Sequence, residues 1–251
     1  SQGWEATKDY TTRSWEATKD YTTQGWESIQ SYSREKWEAT KGASTEIVDQ
    51  AINKKKPAGT IQAYESKIPG RPPALCKGCP HGFVFEALKK LDVVVNGDIG
   101  CYTLAVLPPY SAMHSQGCMG ASIGMHTGFE KARPEMAGKS VAVIGDSTFI
   151  HSGITPLIDL VYNKGTGTVL ILDNRVTAMT GHQENPATGV TLMGEATHEL
   201  DLELLCKAVG VKRVRKVDPK NVEEFEKTVR EELAAREPSV IISSRKCILT
   251  K

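Results

Sequence analysis

From residue 74 onward, short apolar runs alternate with stretches of helical spacing. Val93-Val-Val95, Val141-Ala-Val-Ile144, Thr168-Val-Leu-Ile-Leu172, Arg213–Val217 and Pro238–Ser243 read as strands. The unbroken apolar character of the second and third marks strands buried on both faces. Apolar residues at positions 83, 84, 87, 88 and 91 give His81–Leu91 a helical period. Gly117–Lys131, Ile154–Asn163, Leu200–Val209 and the charged, amphipathic Asn221–Arg236 read as further helices, and 177–197, rich in Thr, Gly and Pro, as a loop. Strands alternating with helices predict an α/β domain over residues 74–251: a mostly parallel sheet with helices on both faces.

The chain before residue 74 follows other patterns. Trp4, Trp15, Trp26 and Trp37 recur every 11 residues, with Tyr10, Tyr21 and Tyr32 six places after the first three. That period lies close to the α-helical one and keeps the aromatic residues on one face. The Thr and Gly/Ser positions of each unit oppose a stable isolated helix. Residues 1–42 are therefore expected to be an arm, helical or disordered, serving either as a partner-binding segment or as a dispensable extension. Residues 43–73 read as a linker, carrying Lys54-Lys-Lys-Pro57 and Ile68-Pro-Gly-Arg-Pro-Pro73.

The strand pair at 141–172 carries the first candidate chemistry. The earlier run delivers Gly145-Asp146-Ser147 to its end and the later one delivers Asp173-Asn174. Parallel strands joined through a helix place both ends at one sheet edge, where open α/β sheets bind ligands. An Asp oxygen and an Asn oxygen meeting there suit a hard cation such as Mg²⁺, which also takes phosphate oxygens. Gly145 would admit a diphosphate to the backbone, and the following helix start offers free N–H groups. Taken alone, the pattern also fits an Asp that merely caps a helix.

Composition narrows the partners. Lys+Arg 31 against Asp+Glu 30 gives a formal charge of +1, which argues against nucleic acid or an anionic membrane. No run reaches the roughly 20 apolar residues that span a bilayer, and the start lacks a signal-peptide pattern, so a soluble, cytoplasmic protein is expected. The six cysteines do not resemble a disulfide scaffold. Cys76-Lys-Gly-Cys79 precedes a helix, Cys101 follows the first strand and Cys247 the last. Four thiolates from such places could enclose an iron–sulfur cluster or a structural zinc, while a C-x-x-C alone could be a redox pair. Cys118 and Cys206 fall within expected helices and are assigned to packing.

Five motifs then occur in series: Arg71-Pro-Pro-Ala-Leu-Cys-Lys-Gly-Cys-Pro-His81, Gly97-Asp-Ile-Gly-Cys-Tyr-Thr-Leu104, Cys118-Met-Gly-Ala-Ser-Ile-Gly124, Gly145-Asp-Ser-Thr-Phe-Ile-His-Ser-Gly153 and Ile171-Leu-Asp-Asn-Arg-Val-Thr-Ala-Met-Thr-Gly-His-Gln183. Together they resemble the thiamine-diphosphate-binding domain of the indolepyruvate ferredoxin oxidoreductase alpha subunit, within the 2-oxoacid:ferredoxin oxidoreductase family. The likeness runs through residues 71–250. Residues 1–42 have no counterpart in it, Lys77 stands where the family usually has Pro, and Gly82 where Arg is common.

The resemblance implies a set of roles. Asp146, Asn174 and the backbone carbonyl of Val176 would ligate Mg²⁺, and Gly145, Ser147 and Thr148 would line the diphosphate. Gly120 and Ala121 would pack close to the cofactor, while Thr180, Gly181 and Gln183 would lie near the thiazolium or the diphosphate. His81, His151 and His182 would handle protons or touch substrate, although a His beside a glycine turn is often only structural. Cys76, Cys79, Cys101 and Cys247 would hold a [4Fe–4S] cluster. The implied reaction is oxidative decarboxylation of an aryl 2-oxoacid, with electrons passing to ferredoxin and the acyl group to coenzyme A. It needs a pyrimidine-binding domain or subunit, absent from the sequence as read, and so implies an oligomer. A non-catalytic binding or scaffold module and a non-oxidative thiamine-dependent 2-oxoacid decarboxylase are the alternatives.

Overall fold

The computed structural model describes residues 72–250. The expected repeat arm at 1–42 and nearly all of the linker at 43–73 lie outside the described residues.

Among the described residues, six strands form one sheet: β1 (Val94–Gly97), β2 (Ser115–Gln116), β3 (Ser140–Gly145), β4 (Thr168–Asp173), β5 (Arg213–Val217) and β6 (Ser239–Ser244). Their order is β2-β1-β3-β4-β6-β5, and every neighbouring pair runs parallel. Five helices cover it: α1 (Pro80–Lys90), α2 (Ala121–Ala132), α3 (Ile154–Tyr162), α4 (Leu202–Ala208) and α5 (Val222–Ala235). Pro80 opens α1 because its missing N–H would have no partner there and its fixed φ is already helical. Asp201 caps α4, its carboxylate accepting the amides of Glu203 at 2.8 Å and Leu204 at 3.0 Å.

The central strands β3 and β4 are buried at every position, and their side chains alternate between two cores, as the two-residue period of a strand requires. Val141, Val143, Leu170, Leu172 and Ile241 pack with Val84, Phe85 and Leu88 of α1 and Phe225 and Val229 of α5. Ala142, Ile144, Val169, Ile171 and Ile242 pack with Ile123 of α2, Leu157 and Leu160 of α3, and Leu202 and Cys206 of α4. Helices thus lie on both faces, as the apolar runs imply.

Element ends differ from the sequence reading where backbone geometry overrides periodicity. The helix expected from Gly117 begins at Ala121, because Gly120 takes a left-handed φ of +86° that no helix interior accepts. Cys118 consequently sits exposed in the turn before the helix, which corrects its assignment to packing; Cys206 is buried in α4, where packing was expected. The two-residue β2 carries no detectable period and is placed by pairing with β1, Asn96 opposite Ser115. Ahead of α3, an α turn over Asp146–Thr148 passes into a π-helical segment, Phe149–Gly153. A π segment widens the helix by one residue per turn, a local device common at functional sites.

The chain leaves β1 toward β2 on one side and returns to β3 on the other. That reversal opens a crevice at the carboxyl ends of β1 and β3, beside Asp98 and Asp146. The π segment depends on the small residue that closes it. A Cβ on Gly153 would stand 2.7 Å from Ile144 Cδ1 and 2.9 Å from Phe149 Cδ2. Gly153→Ala is therefore expected to lower stability by about 1–3 kcal/mol, read from the midpoint of urea unfolding at an unchanged m-value.

Candidate functional site

Register places Gly145 opposite Leu172, so β3 and β4 finish side by side and project Asp146 and Asn174 into one solvent-open cleft of about 480 Å³. Asp146 is buried, its Oδ1 accepting the Ser147 amide at 2.6 Å and its Oδ2 the Arg175 amide at 2.9 Å. Burial pushes its carboxyl up to about 7, and the neighbouring Asp173 pushes the same way against those two donors. Asn174 accepts the Val176 amide through Oδ1 at 3.4 Å, and its Nδ2 stands 3.4 Å from His81 Nε2. Between the two, Arg175 adopts a left-handed φ of +58°, a conformation that persists when its surroundings over-determine it. Here the guanidinium does so: it donates to the Ala187 carbonyl at 2.6 Å and pairs with Glu199. The turn leaves Asn174 and Val176 both lining the same cleft.

His81 lines the cleft from the start of α1 and meets the Tyr102 ring edge-on, with centroids 6.0 Å apart. Burial lowers its imidazole to about 4, so the ring is neutral near physiological pH. Gly145, Ser147, Thr148, Val176 and Thr180 also line the cleft. Gly120 faces Ser152, where an added Cβ would collide, and its amide donates to Asp98 at 3.0 Å. Gln183 is exposed and bonds to Thr180, donating to its carbonyl at 2.8 Å; Gly181 lies between them with φ of +132°. Ala121, Gly181, Gln183 and the exposed His151 are not among the cleft-lining residues.

A second cavity of about 650 Å³ adjoins the first. Cys76, Cys79, Cys101 and Cys247 all line it, with His182, and it shares His81, Cys101, Asn174 and Ala178 with the cleft. Burial pushes the Cys79 thiol up to about 11, and Cys76 and Cys101 add to this. Cys101 is raised by burial, then by Cys247 and Cys76. Cys79 and Cys101 therefore both feel neighbouring thiols of this cavity. Among the described residues, however, no three His, Cys, Asp or Glu side chains stand close enough to hold a single ion. The arrangement as it stands is not a formed zinc site.

Three participants are absent from the sequence reading of the site. Asp98 is wholly buried beneath it, accepting from Tyr102 and Ser122 as well as Gly120. Tyr102 lines the cleft itself. Asn185, buried, reaches toward Asp146 from the long loop. The Gly97-Asp-Ile-Gly-Cys-Tyr motif contains the first two, but no pattern rule marks a carboxylate that serves only as an acceptor inside the protein.

Comparison with known proteins follows this geometry. Residues 98–243 match the family described as thiamine pyrophosphate enzyme, C-terminal TPP binding domain. The chain belongs to this family. The resemblance read from the five motifs is borne out: the chain is 42% identical over 192 residues to the indolepyruvate oxidoreductase subunit IorA of Methanothermobacter thermautotrophicus, covering 73% of this chain and 31% of that protein. It is 37% identical over 222 residues to the IorA subunit of Pyrococcus horikoshii, covering 83% and 33%. The chain thus spans about a third of the length of these relatives. Among solved structures, a 2-oxoglutarate:ferredoxin oxidoreductase from Magnetococcus marinus superposes with a TM-score of 0.62 at 15% identity, over 72% of this chain and 66% of that one. This likeness shows a shared fold.

For a TPP-binding domain, the donor set fits the group. The cleft brings a buried carboxylate, a carboxamide and a glycine-bearing turn together at one strand edge, and Asp173 adds negative charge that a divalent cation would relieve. The same charge makes a testable demand on the metal-free domain. Because the folded-state value of Asp146 is raised, its contribution to stability is full below about pH 4 and is lost as pH rises through about 7. In EDTA, Asp146→Asn is expected to be more stable than wild type at pH 8, by roughly 2–4 kcal/mol, and no more stable near pH 4. Urea unfolding at both pH values checks this. Equal curves at pH 8 would show that the Asp146 carboxylate is already relieved.

Proposed function

We propose that this chain is the cofactor-binding part of an oxidoreductase that oxidatively decarboxylates aryl 2-oxoacids of the indolepyruvate kind. One observation carries the reading: the cleft holding Asp146 and Asn174 and the cavity lined by four cysteines share a wall made of His81, Cys101, Asn174 and Ala178. A decarboxylation that ends in single-electron transfer needs its carbon chemistry and an electron acceptor close together. Names of the curated relatives support the oxidoreductase class.

Within this reading, Asp146, Asn174 and the Val176 carbonyl hold Mg²⁺, and Gly145, Ser147 and Thr148 face the diphosphate. Thiamine diphosphate, when bound, would supply a nucleophilic carbon for the keto group and an electron sink for the bonding pair left behind as CO₂ departs. The protein's part is orientation and exclusion of water. Ile99, Met119, Leu172 and Met179 give the cleft an apolar wall, which suits an aromatic side chain and sharpens electrostatics within. His81, neutral and buried against Tyr102 and Asn174, is suited to hydrogen-bond substrate or cofactor at the cleft without adding charge. His182, exposed at a left-handed turn beside the cysteines, is the second candidate for substrate contact, and His151 the third, from the π segment. Gly120, Ala121, Thr180, Gly181 and Gln183 complete the surroundings of the cofactor. Cys76, Cys79, Cys101 and Cys247 would hold an iron–sulfur cluster of the [4Fe–4S] type, which would supply one-electron transfer toward ferredoxin, with coenzyme A as acyl acceptor. A pyrimidine-binding domain or subunit closes the cleft from outside.

Two measurements test this. Thiamine diphosphate is expected to bind only with Mg²⁺, in the chain alone or with a pyrimidine-domain partner, and Asp146→Ala should weaken binding by about a hundredfold or more. Absence of binding in every arm would leave the scaffold reading. Anaerobically purified protein is expected to carry iron and sulfide. Cys101→Ala should lose both, whereas the exposed Cys118→Ala keeps them. Iron-free wild type that still binds the cofactor would point to a non-oxidative decarboxylase.

A further inference from the structure

A fully buried carboxylate lies beneath the cofactor cleft and has no role in the scheme above. Asp98, at the end of β1, is 0% exposed. Among the described residues, no Lys, Arg or His hydrogen-bonds to it. It is held instead by three donors from two places, the turn carrying Tyr102 and the start of α2. The Tyr102 hydroxyl donates to Oδ1, and the Gly120 amide and the Ser122 hydroxyl each donate to Oδ2 at 3.0 Å. All three partners are donors toward one group, which a carboxylate satisfies and an amide side chain does not, since half of the amide is itself a donor. Burying such a charge away from water is costly unless every lone pair finds a donor. A feature so unfavourable in isolation needs a compensating use.

Each donor leads to the cofactor edge. Tyr102 belongs to the 3₁₀ turn Cys101–Val106 and lines the cleft. It lines the cleft together with Gly145 and Thr148, two of the groups assigned to the diphosphate, and a Cβ on Gly145 would stand 3.6 Å from its hydroxyl oxygen. Its ring packs so near Gly145 that a Cβ there would stand 2.9 Å from Tyr102 Cε1. Gly120 and Ser122 form the start of α2, where Gly120 packs on Ser152 in the π segment that follows the Asp146 turn. A single carboxylate therefore ties the β3 turn, through Tyr102, to the head of α2.

The geometry points to Asp98 as the positioning residue of the diphosphate cradle, acting through Tyr102 on Gly145 and Thr148 and through Gly120 and Ser122 on the start of α2. This inference rests on the cofactor reading above and assigns that site a buried anchor. Asp98 touches neither metal nor diphosphate; its effect travels through the hydroxyl of Tyr102 and the turn at Gly120.

The test is a double-mutant cycle in the full chain, alone and with a pyrimidine-domain partner, read by calorimetric titration with thiamine diphosphate and MgCl₂ and by thermal unfolding without cofactor. Asp98→Asn and Tyr102→Phe are each expected to weaken cofactor binding about tenfold, as one lost hydrogen bond to a charged group implies. The double variant should lose little more than either single variant, because both act on one path. A purely structural Asp98 would lower the unfolding temperature and leave the dissociation constant of the folded protein unchanged; that outcome overturns the inference while leaving the cofactor reading intact. Losses that multiply to about a hundredfold in the double variant also overturn it. If Asp98→Asn does not fold, Tyr102→Phe decides, since it removes one hydroxyl and keeps the ring. Wild type that binds no cofactor in either arm removes the cofactor reading and this inference with it.

Discussion

Parallel pairing of β3 with β4 is the constraint on which the site depends. Five residue pairs in register, from Val141 opposite Thr168 to Gly145 opposite Leu172, stop both strands at the same edge, so Asp146 and Asn174 need no long loop to meet. Slipping that register by one residue would turn every side chain of a strand to the opposite face. Val143 and Leu170 would then leave the core of α1 and α5, and Ala142 and Val169 that of α2, α3 and α4. The packing that stabilises the sheet is thereby the same packing that sets the separation of the two polar groups.

Against that rigid frame, the edge itself is electrostatically unfavourable. Asp98, Asp146 and Asp173 lie at the ends of β1, β3 and β4, all of them buried. Each is managed differently. Asp98 is surrounded by donors, Asp146 by two backbone amides, and Asp173 accepts from Ser244 at 2.8 Å while Arg175 stands 3.4 Å away. Arg175 and His182 take left-handed backbones beside the cavities, as Asp92, Ser111, Lys164 and Arg236 do elsewhere.

Legibility in the sequence followed the strength of the local signal. Strands such as 141–144 and 168–172 are unbroken apolar runs, and they lie within one or two residues of the observed β3 and β4. The pair Asp146 and Asn174 was legible because the spacing of two strand ends in a βαβ unit is a one-dimensional fact. The start of α2 was not, since the glycine that delays it acts through its φ angle rather than through hydrophobicity. Asp98 was hidden for another reason: a carboxylate that only accepts hydrogen bonds inside the protein looks, in sequence, like any polar residue in a loop, and so does the buried Asn185. Cys118 shows the converse, a residue inside an apparently periodic stretch that proves exposed.

Two backbone contacts join the two cavities beyond their shared lining. The amide of Cys247 donates to the carbonyl of Asn174 at 3.0 Å, and that of Arg245 to Asp173 at 3.0 Å. The segment that presents a thiol to one chamber is thus laced to the strand end that presents a carboxamide to the other. Neither chamber can be reshaped by drift without the second feeling the displacement, so the two would have to evolve as a matched pair, and grafting one of them alone onto another sheet would sever the lacing that sets its depth.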